Sequence, residues 1–173
     1  MISTKVSLTP ELVETPLGWI ALVFSDRGLW GCTPPLPSHG TAFQKLSQWG
    51  LSGTPSDSQS DLAYRLQAHL NGDAISYEDI DLDWEGVSAW QRTILEEAKR
   101  IPWGETRTYG WITARTALPQ AARAAGQALA GNRFPIVIPC HRVVRADGSL
   151  GGYAGGVEIK NKLLALESKQ QAH

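Results

Sequence analysis

Residues 134–144 read FPIVIPCHRVV, a mostly apolar segment in which Cys140 lies between Pro139 and His141. Two prolines four residues apart disfavour a central paired strand and a long helix, because proline has no amide hydrogen to donate. We therefore predict an extended, buried connection that ends at the thiol. The chain has only two cysteines, so a histidine beside this one raises the question of its chemistry.

Two short helices are predicted just before this segment, over residues 109–116 and 120–130, with a break at Leu118-Pro119. Two short helices with a tight joint form the outline of a helix-turn-helix. The second helix includes AARAAGQALAG at 121–131, where Arg123 is the only charged residue. A helix whose side chains are nearly all small can approach a DNA groove closely, and it can equally pack against a neighbouring helix. The sequence alone leaves both interpretations open.

The segments after Cys140 predict a loop and a closing helix. GGYAGG at 151–156 is typical of a glycine-rich loop, and VEIKNKLLALES at 157–168 has the apolar spacing of a helix. The inward face of that helix is predicted to carry Val157, Ile159, Leu163 and Leu166.

The first part of the chain predicts a small domain of strands followed by helices. Apolar runs at 19–24 and 29–31, separated by the turn DRG, predict a β-meander. Two amphipathic helices follow, and His69 in the second is expected to be half-buried rather than a metal ligand. The predicted inward faces carry Phe43, Leu46 and Trp49 in the first helix, and Leu62, Leu66, His69 and Leu70 in the second.

An acidic stretch at residues 73–86, DAISYEDIDLDWEG, marks the junction between two predicted domains, 1–85 and 86–173. Just after it, Ser88 and Gln91 form a capping-box signature, which predicts a helix that runs to about Arg100.

The net charge of −1 hides an uneven distribution along the chain. Residues 1–90 hold 4 Lys+Arg and 11 Asp+Glu, a balance of −7, whereas residues 91–173 hold 12 and 6, a balance of +6. A basic half suggests a nucleic-acid partner, although a chance split of surface charge would give the same count. No apolar run resembles a secretory signal or a membrane span, so a cytoplasmic protein with reduced cysteines is expected.

A free cysteine is mostly protonated at neutral pH, so a reactive Cys140 needs a group that takes its proton. His141 is the obvious candidate, but neighbouring side chains diverge, which favours contact through a water or from a turn. Glu167 is a candidate to accept from the other ring nitrogen. A buried structural cysteine with a chance neighbour remains the alternative, and a zinc site is disfavoured because there is no second cysteine nearby.

The motif PCHRVV resembles the O6-alkylguanine-DNA alkyltransferases, and so do GNRFPIVI before it and GGYAGG and KNKLLALE after it. The resemblance continues upstream through PWGETRTYG and AARAAGQALAGN and covers residues 88–167. It implies an α+β fold, with an N-terminal RNase H-like α/β domain and a mostly helical winged-helix, helix-turn-helix-type domain.

The same resemblance implies DNA repair by direct, irreversible, single-turnover alkyl transfer from O6-alkylguanine, and from O4-alkylthymine, in double-stranded DNA to the protein's own cysteine. It implies a monomer, no cofactor and no membrane partner, and it leaves open whether several copies bind DNA cooperatively. Some relatives bind zinc through N-terminal Cys and His residues that this chain lacks, so no metal is expected.

Five catalytic roles carry over by resemblance. Cys140 would accept the alkyl group, His141 would act as a water-linked base, and Glu167 would orient it. Asn132 would be the hinge that ties the helix-turn-helix to the active-site loop, and Tyr109 would protonate or polarise N3 of the extruded guanine.

Two further groups of residues carry over in the same way. Arg123 would fill the gap that the extruded base leaves. Ala154 stands where many relatives have serine, so its contact to the base would be made by the backbone N–H. The pocket residues would be Tyr153, Ala154, Pro135, Val143 and Gly151. The DNA-binding residues would be Arg123, Ala122, Ala124, Gly126, Gln127, Arg107 and Thr108.

Two other functions compete with this interpretation. One is a non-enzymatic helix-turn-helix DNA binder or lesion sensor, in which Cys140 is structural. The other is a cysteine hydrolase with a small substrate. Exposure to DNA containing O6-methylguanine, followed by weighing of the Cys140 peptide, separates all three.

Overall fold

A three-stranded antiparallel sheet forms the centre of the N-terminal part, with β1 (Thr9–Thr15), β2 (Gly18–Ser25) and β3 (Gly28–Cys32) in sequential order. The predicted β-meander is thus confirmed. The segment that ends at Asp83 runs beside β3, and Leu29 donates its amide to the Asp81 carbonyl oxygen at 2.9 Å. A Cβ on Gly28 would lie 2.3 Å from that oxygen, so the close approach requires glycine at this position.

This computed structural model describes residues 6–169, and their contacts divide into two compact units between Asp83 and Trp84. Each unit mixes helix and sheet. Within residues 6–169, no helix is long and apolar enough to cross a membrane.

Two helices pack on the N-terminal sheet, α1 (His39–Gln48) and α2 (Asp61–Leu70). Each begins at a serine that caps it, Ser38 and Ser60 respectively. The predicted inward face of α1 is wrong at Phe43, which is 42% exposed, because the small Ala42 and Leu46 face the core instead.

The second helix also differs from prediction at one residue. His69 was predicted to be half-buried, but it is fully buried, and its Nδ1 lies 2.9 Å from the hydroxyl of Tyr77. A buried imidazole needs such a polar partner, so the tyrosine explains how the ring is accommodated.

The C-terminal unit begins with α3 (Ala89–Lys99), whose N-cap Ser88 accepts the amide of Gln91 as predicted. The Gln91 side chain instead extends to a later helix. That helix is α5 (Ala122–Ala130), and α4 (Tyr109–Thr113) precedes it. Both are shorter than predicted: after α4 the amides of Arg115 and Thr116 bond carbonyl oxygens three residues back, which ends the regular helix. The Thr113 hydroxyl bonds the Pro119 carbonyl oxygen across the joint.

A parallel pair of two-residue strands joins the segment before α4 to the segment after Cys140: β4 (Arg107–Thr108) and β5 (Val143–Val144). The last helix of the described residues is α6 (Val157–Ser168). The predicted inward face of α6 is wrong at Val157, which is 52% exposed, and it did not include Lys160, which is fully buried together with the predicted carboxylate Glu167. These two lie on one face with Leu163 because three and four residues separate the positions.

The segment before Cys140 is buried as predicted, but it is not extended. It folds back on itself, since Ile138 donates its amide to the Phe134 carbonyl oxygen at 2.8 Å and Ile136 has a φ of 71°. Asn132 holds both sides of this turn: its Oδ1 accepts from the amide of Phe134, and its Nδ2 donates to the carbonyl oxygen of Ile138. The two prolines disfavour a strand, and they are compatible with this turn.

Candidate active site

A pocket of about 280 Å³ opens beside Cys140, which begins a single 3₁₀ turn, Cys140–Arg142. The last turns of α5 form one wall and the loop at 151–156 forms the other. The lining residues are Tyr109, Gly126, Leu129, Ala130, Cys140, Gly152, Tyr153 and Ala154. The thiol is thus placed where a small planar group can reach it.

Opposing influences act on the pKa of the Cys140 thiol. Burial raises its pKa, because the low-polarity surroundings disfavour the thiolate. The side chain of Asn132, the ammonium of Lys160 and the amides of Cys140 and His141 act in the opposite direction. The site therefore keeps the resting thiol protonated while it supplies groups that stabilise the thiolate when the proton leaves.

His141 belongs to a buried network that starts at Glu167. Its Nε2 lies 2.7 Å from Glu167 Oε1, and both side chains are almost fully buried. Arg142 binds the same carboxylate twice, from Nε to Oε2 at 2.8 Å and from Nη2 to Oε1 at 2.9 Å. Its Nη1 also donates to the Ile101 carbonyl oxygen at 2.7 Å. The structure thus brings together His141 and Glu167, as predicted, and adds an arginine that fixes the carboxylate.

Lys160 is the second charged residue that the sequence analysis missed. Its Nζ donates to the carbonyl oxygens of Val143 at 2.7 Å and Gly152 at 3.2 Å, so it links β5 to the glycine-rich loop. Burial lowers its pKa, the Cys140 thiolate raises it, and Arg145 lowers it. The signal for this residue was its spacing from Leu163 and Glu167, which places all three on one helical face.

Tyr109 begins α4 and lies between two glycines. A Cβ on Gly126 would lie 3.7 Å from its ring, and one on Gly151 would lie 3.0 Å from its hydroxyl. Burial raises the Tyr109 pKa, the positive charge of Arg145 lowers it, and Cys140 raises it. The phenol therefore keeps its proton at neutral pH and is available as a donor in the pocket.

The predicted pocket residues fall into two groups. Tyr153 and Ala154 line the pocket, and Gly151 lies against the Tyr109 hydroxyl. Pro135 and Val143 are buried and are not among the lining residues, because Pro135 is part of the folded turn and Val143 is in β5.

The predicted DNA-binding residues lie in two places, on α5 and in β4. On α5, Arg123 and Gln127 are exposed, and Ala122, Ala124 and Gly126 are partly buried. Away from α5, Arg107 pairs with Glu105 and lies over the Trp111 ring at 5.3 Å, and Thr108 Oγ1 caps α4 by accepting from the Trp111 amide. These two therefore have structural partners within the protein itself.

The C-terminal end of α5 is held by α3. Gln91 Nε2 donates to the carbonyl oxygens of Ala128 at 3.1 Å and Gly131 at 3.0 Å, and a Cβ on Gly131 would lie 2.7 Å from that nitrogen. Asn132 follows immediately and bonds both sides of the turn before Cys140. A continuous set of contacts therefore joins α3, the pocket wall and the thiol-bearing segment.

Comparison with known proteins agrees with this geometry. Residues 89–169 match the family described as the DNA-binding domain of 6-O-methylguanine DNA methyltransferase. The methylated-DNA–protein-cysteine methyltransferase of Methanothermobacter thermautotrophicus is 38% identical over 152 residues, which cover 88% of this chain and 81% of that protein.

Solved structures show the same likeness over nearly the whole chain. The O6-methylguanine methyltransferase of Mycobacterium tuberculosis superposes with a TM-score of 0.77 at 30% identity, covering 94% of each chain. A structure of that organism's OGT in complex with DNA superposes with a TM-score of 0.70 at 29% identity, again covering 94% of each chain. This chain belongs to the methylated-DNA–protein-cysteine methyltransferase family.

Proposed function

We propose that this protein repairs O6-alkylguanine in double-stranded DNA by moving the alkyl group to Sγ of its own Cys140. The observation that carries the proposal is the position of a buried thiol on a pocket, next in sequence to a histidine that contacts Glu167, whose carboxylate is in turn bound by Arg142. Membership of the methyltransferase family, shown by full-length relatives, supports the same reaction.

The reaction is a single displacement. His141 takes the proton of Cys140 through a water, and the thiolate attacks the alkyl carbon. The carbon–oxygen bond breaks as the sulfur–carbon bond forms, and the electron pair leaves with the purine. The Tyr109 hydroxyl, which is protonated at neutral pH as phenols ordinarily are, donates to N3 of the departing guanine. The products are guanine and a thioether on Cys140.

The target base must leave the helix stack before the thiol can reach it, because O6 of a paired guanine lies inside the duplex. The small side chains of α5 allow a close approach to the groove, and Arg123 is exposed on that helix. The first turn of α5 has no side-chain cap, so its amides are available for a phosphate. Arg123 would occupy the space that the extruded base leaves.

Transfer is proposed to occur once for each protein molecule. His141 and Glu167 can move a proton, but they cannot displace a methyl group from a thioether. A stoichiometric, irreversible reaction follows, without a metal or another cofactor. O4-alkylthymine is a second substrate under the same chemistry.

The domain roles are part of the proposal. Residues 1–85 would form an RNase H-like α/β domain, and residues 86–173 a winged-helix domain that binds DNA and carries Cys140. We also propose a cytoplasmic location, a monomer in solution and cooperative binding on DNA.

The test is a reaction with excess duplex that contains O6-methylguanine. The expected result is a burst of at most one equivalent of repaired base, with one added methyl on the Cys140 peptide and none on the Cys32 peptide. A Cys140→Ser variant should bind the duplex but transfer nothing. Turnover beyond one equivalent with unmodified Cys140 would favour the hydrolase, and binding without transfer would favour the lesion sensor.

A further inference from the structure

The arginines of the C-terminal unit differ in how they are engaged. Eight lie between Trp84 and Lys169. Six bond a carboxylate or a backbone carbonyl: Arg92, Arg100, Arg107, Arg115, Arg133 and Arg142. The side chains of the other two, Arg123 and Arg145, are exposed and form no hydrogen bond or ion pair within the described part of the chain. Arg123 belongs to the predicted DNA interface, whereas Arg145 has no assigned role.

Arg145 lies at the edge of the pocket. A Cβ on Gly151 would be 3.6 Å from Cγ of Arg145 and 3.0 Å from the hydroxyl of Tyr109, so both side chains reach the same point of the loop. The charge of Arg145 also acts to lower the pKa values of Tyr109, which lines the pocket, and of Lys160, which bonds the loop that forms the pocket wall. The guanidinium is therefore close to the place where an extruded base would enter.

Hydrogen bonds fix the backbone around Arg145, whereas its guanidinium group forms none. The Arg145 amide donates to the Ser149 carbonyl oxygen at 3.0 Å, and the Gly148 amide donates to the Arg145 carbonyl oxygen at 2.9 Å. The nearest acidic residue in this turn, Asp147, accepts instead from the amide and hydroxyl of Ser149 at 2.9 and 2.7 Å. The bonds from Ser149 and, to a lesser degree, the charge of Arg145 lower the pKa of Asp147. A fixed backbone thus presents an exposed cation near a carboxylate that bonds Ser149 and not the guanidinium.

An exposed guanidinium without a carboxylate partner is well suited to a phosphate, which it can bind through two parallel hydrogen bonds. A nucleotide that places its base in the pocket leaves its phosphates at the entrance. We infer that Arg145 binds a backbone phosphate of the extruded nucleotide at the pocket entrance, as a second DNA contact separate from α5. This inference rests on the proposed function, since it requires a base in the pocket.

The test measures the affinity of the full-length chain for duplex DNA with O6-methylguanine at several salt concentrations, in the Cys140→Ser background so that no transfer occurs. Arg145→Ala should weaken binding roughly tenfold and make the log–log salt slope shallower by about 0.9, the value for one lost phosphate contact. Arg145→Lys should keep the slope. Arg100→Ala, which removes an exposed arginine paired with Glu97, is the matched control and should change neither quantity.

A second measurement, made with Cys140 intact, separates phosphate binding from an effect on Tyr109. Arg145→Ala should slow reaction with the duplex about tenfold more than reaction with free O6-methylguanine base. An unchanged salt slope, or equal losses with duplex and free base, would overturn the inference. Because the slope is measured without the reaction, failure of the wild-type protein to methylate Cys140 would reject the proposed function while the slope still decides the role of Arg145.

Discussion

The ammonium of Lys160 donates a hydrogen bond to the carbonyl oxygen of Gly152, which ties α6 to the loop that forms one wall of the pocket. Its second bond, to the Val143 carbonyl oxygen, anchors the same group to β5. A buried ammonium is costly unless carbonyl oxygens replace its water, so this arrangement fixes the loop in one position. The wall of the pocket thus depends on a residue that lies outside the lining.

Replacing Lys160 with Met should destabilise the fold and loosen the pocket wall. The change leaves the buried Val143 carbonyl oxygen without its donor, at about 1–3 kcal/mol, and also removes the bond to the carbonyl oxygen of the exposed Gly152. Denaturant unfolding measures the loss, and reaction with free O6-methylguanine should slow in parallel. The control is Lys162→Met on the same helix, where the side chain is 52% exposed and pairs only with Glu158. Equal stability of the two variants would contradict this role.

Replacing Gln91 with Ala should release the C-terminal end of α5. Two backbone carbonyls lose their side-chain donor, and we expect a loss of about 1–2 kcal/mol in the free energy of unfolding. Hydrogen exchange should become faster in the last turn of α5 and in the turn before Cys140. Gln120→Ala, at an exposed position just before α5, should leave exchange there unchanged. Faster exchange throughout the C-terminal unit would instead indicate general destabilisation.

Replacing Arg123 with Ala should slow repair in duplex DNA far more than reaction with a free alkylguanine base. The side chain is exposed on α5 and is expected to fill the space left by the extruded base, which a free base does not require. The ratio of the two rate losses is the quantity to measure. Equal losses would show that Arg123 takes no part in base extrusion.

Replacing Arg142 with Met should leave the Glu167 carboxylate buried beside His141 without its main positive partner. Breaking a buried pair in this way typically costs about 3–5 kcal/mol, a large share of the stability of a small domain. Arg142→Lys keeps the charge but loses the two-bond geometry, so its unfolding free energy should fall between those of Met and wild type. Equal stability of Lys and Met variants would mean that the bonding geometry contributes nothing beyond packing.

Local signals in the sequence predicted most of the helices and strands. Ser88 marks the start of α3, and the turn DRG separates β2 from β3, because capping and turn chemistry act over three or four residues. The lengths of α4 and α5 were less predictable, since the backbone bonds after α4 tighten to a spacing of three residues and no residue type in the sequence marks that change.

The charged part of the site was harder to predict because its contacts are distant in sequence. Arg142 bonds Glu167 across 25 residues and Ile101 across 41. Lys160 resembled an ordinary surface lysine, since lysines are rarely buried unless paired. Sequence patterns indicate which face of a helix is apolar, but they do not show that two backbone carbonyl oxygens distant in sequence accept hydrogen bonds from one ammonium.

The turn before Cys140 contains a residue with a positive φ that no local sequence pattern predicts. Ile136 has a φ of 71° and is almost fully buried. A β-branched residue in this conformation costs about 1–3 kcal/mol, and it persists because the surrounding packing and Asn132 determine the turn. Substitution of Ile136 therefore involves a trade-off. A glycine would remove the backbone strain but leave a cavity in the core, whereas any side chain large enough to fill that space keeps the strained positive φ.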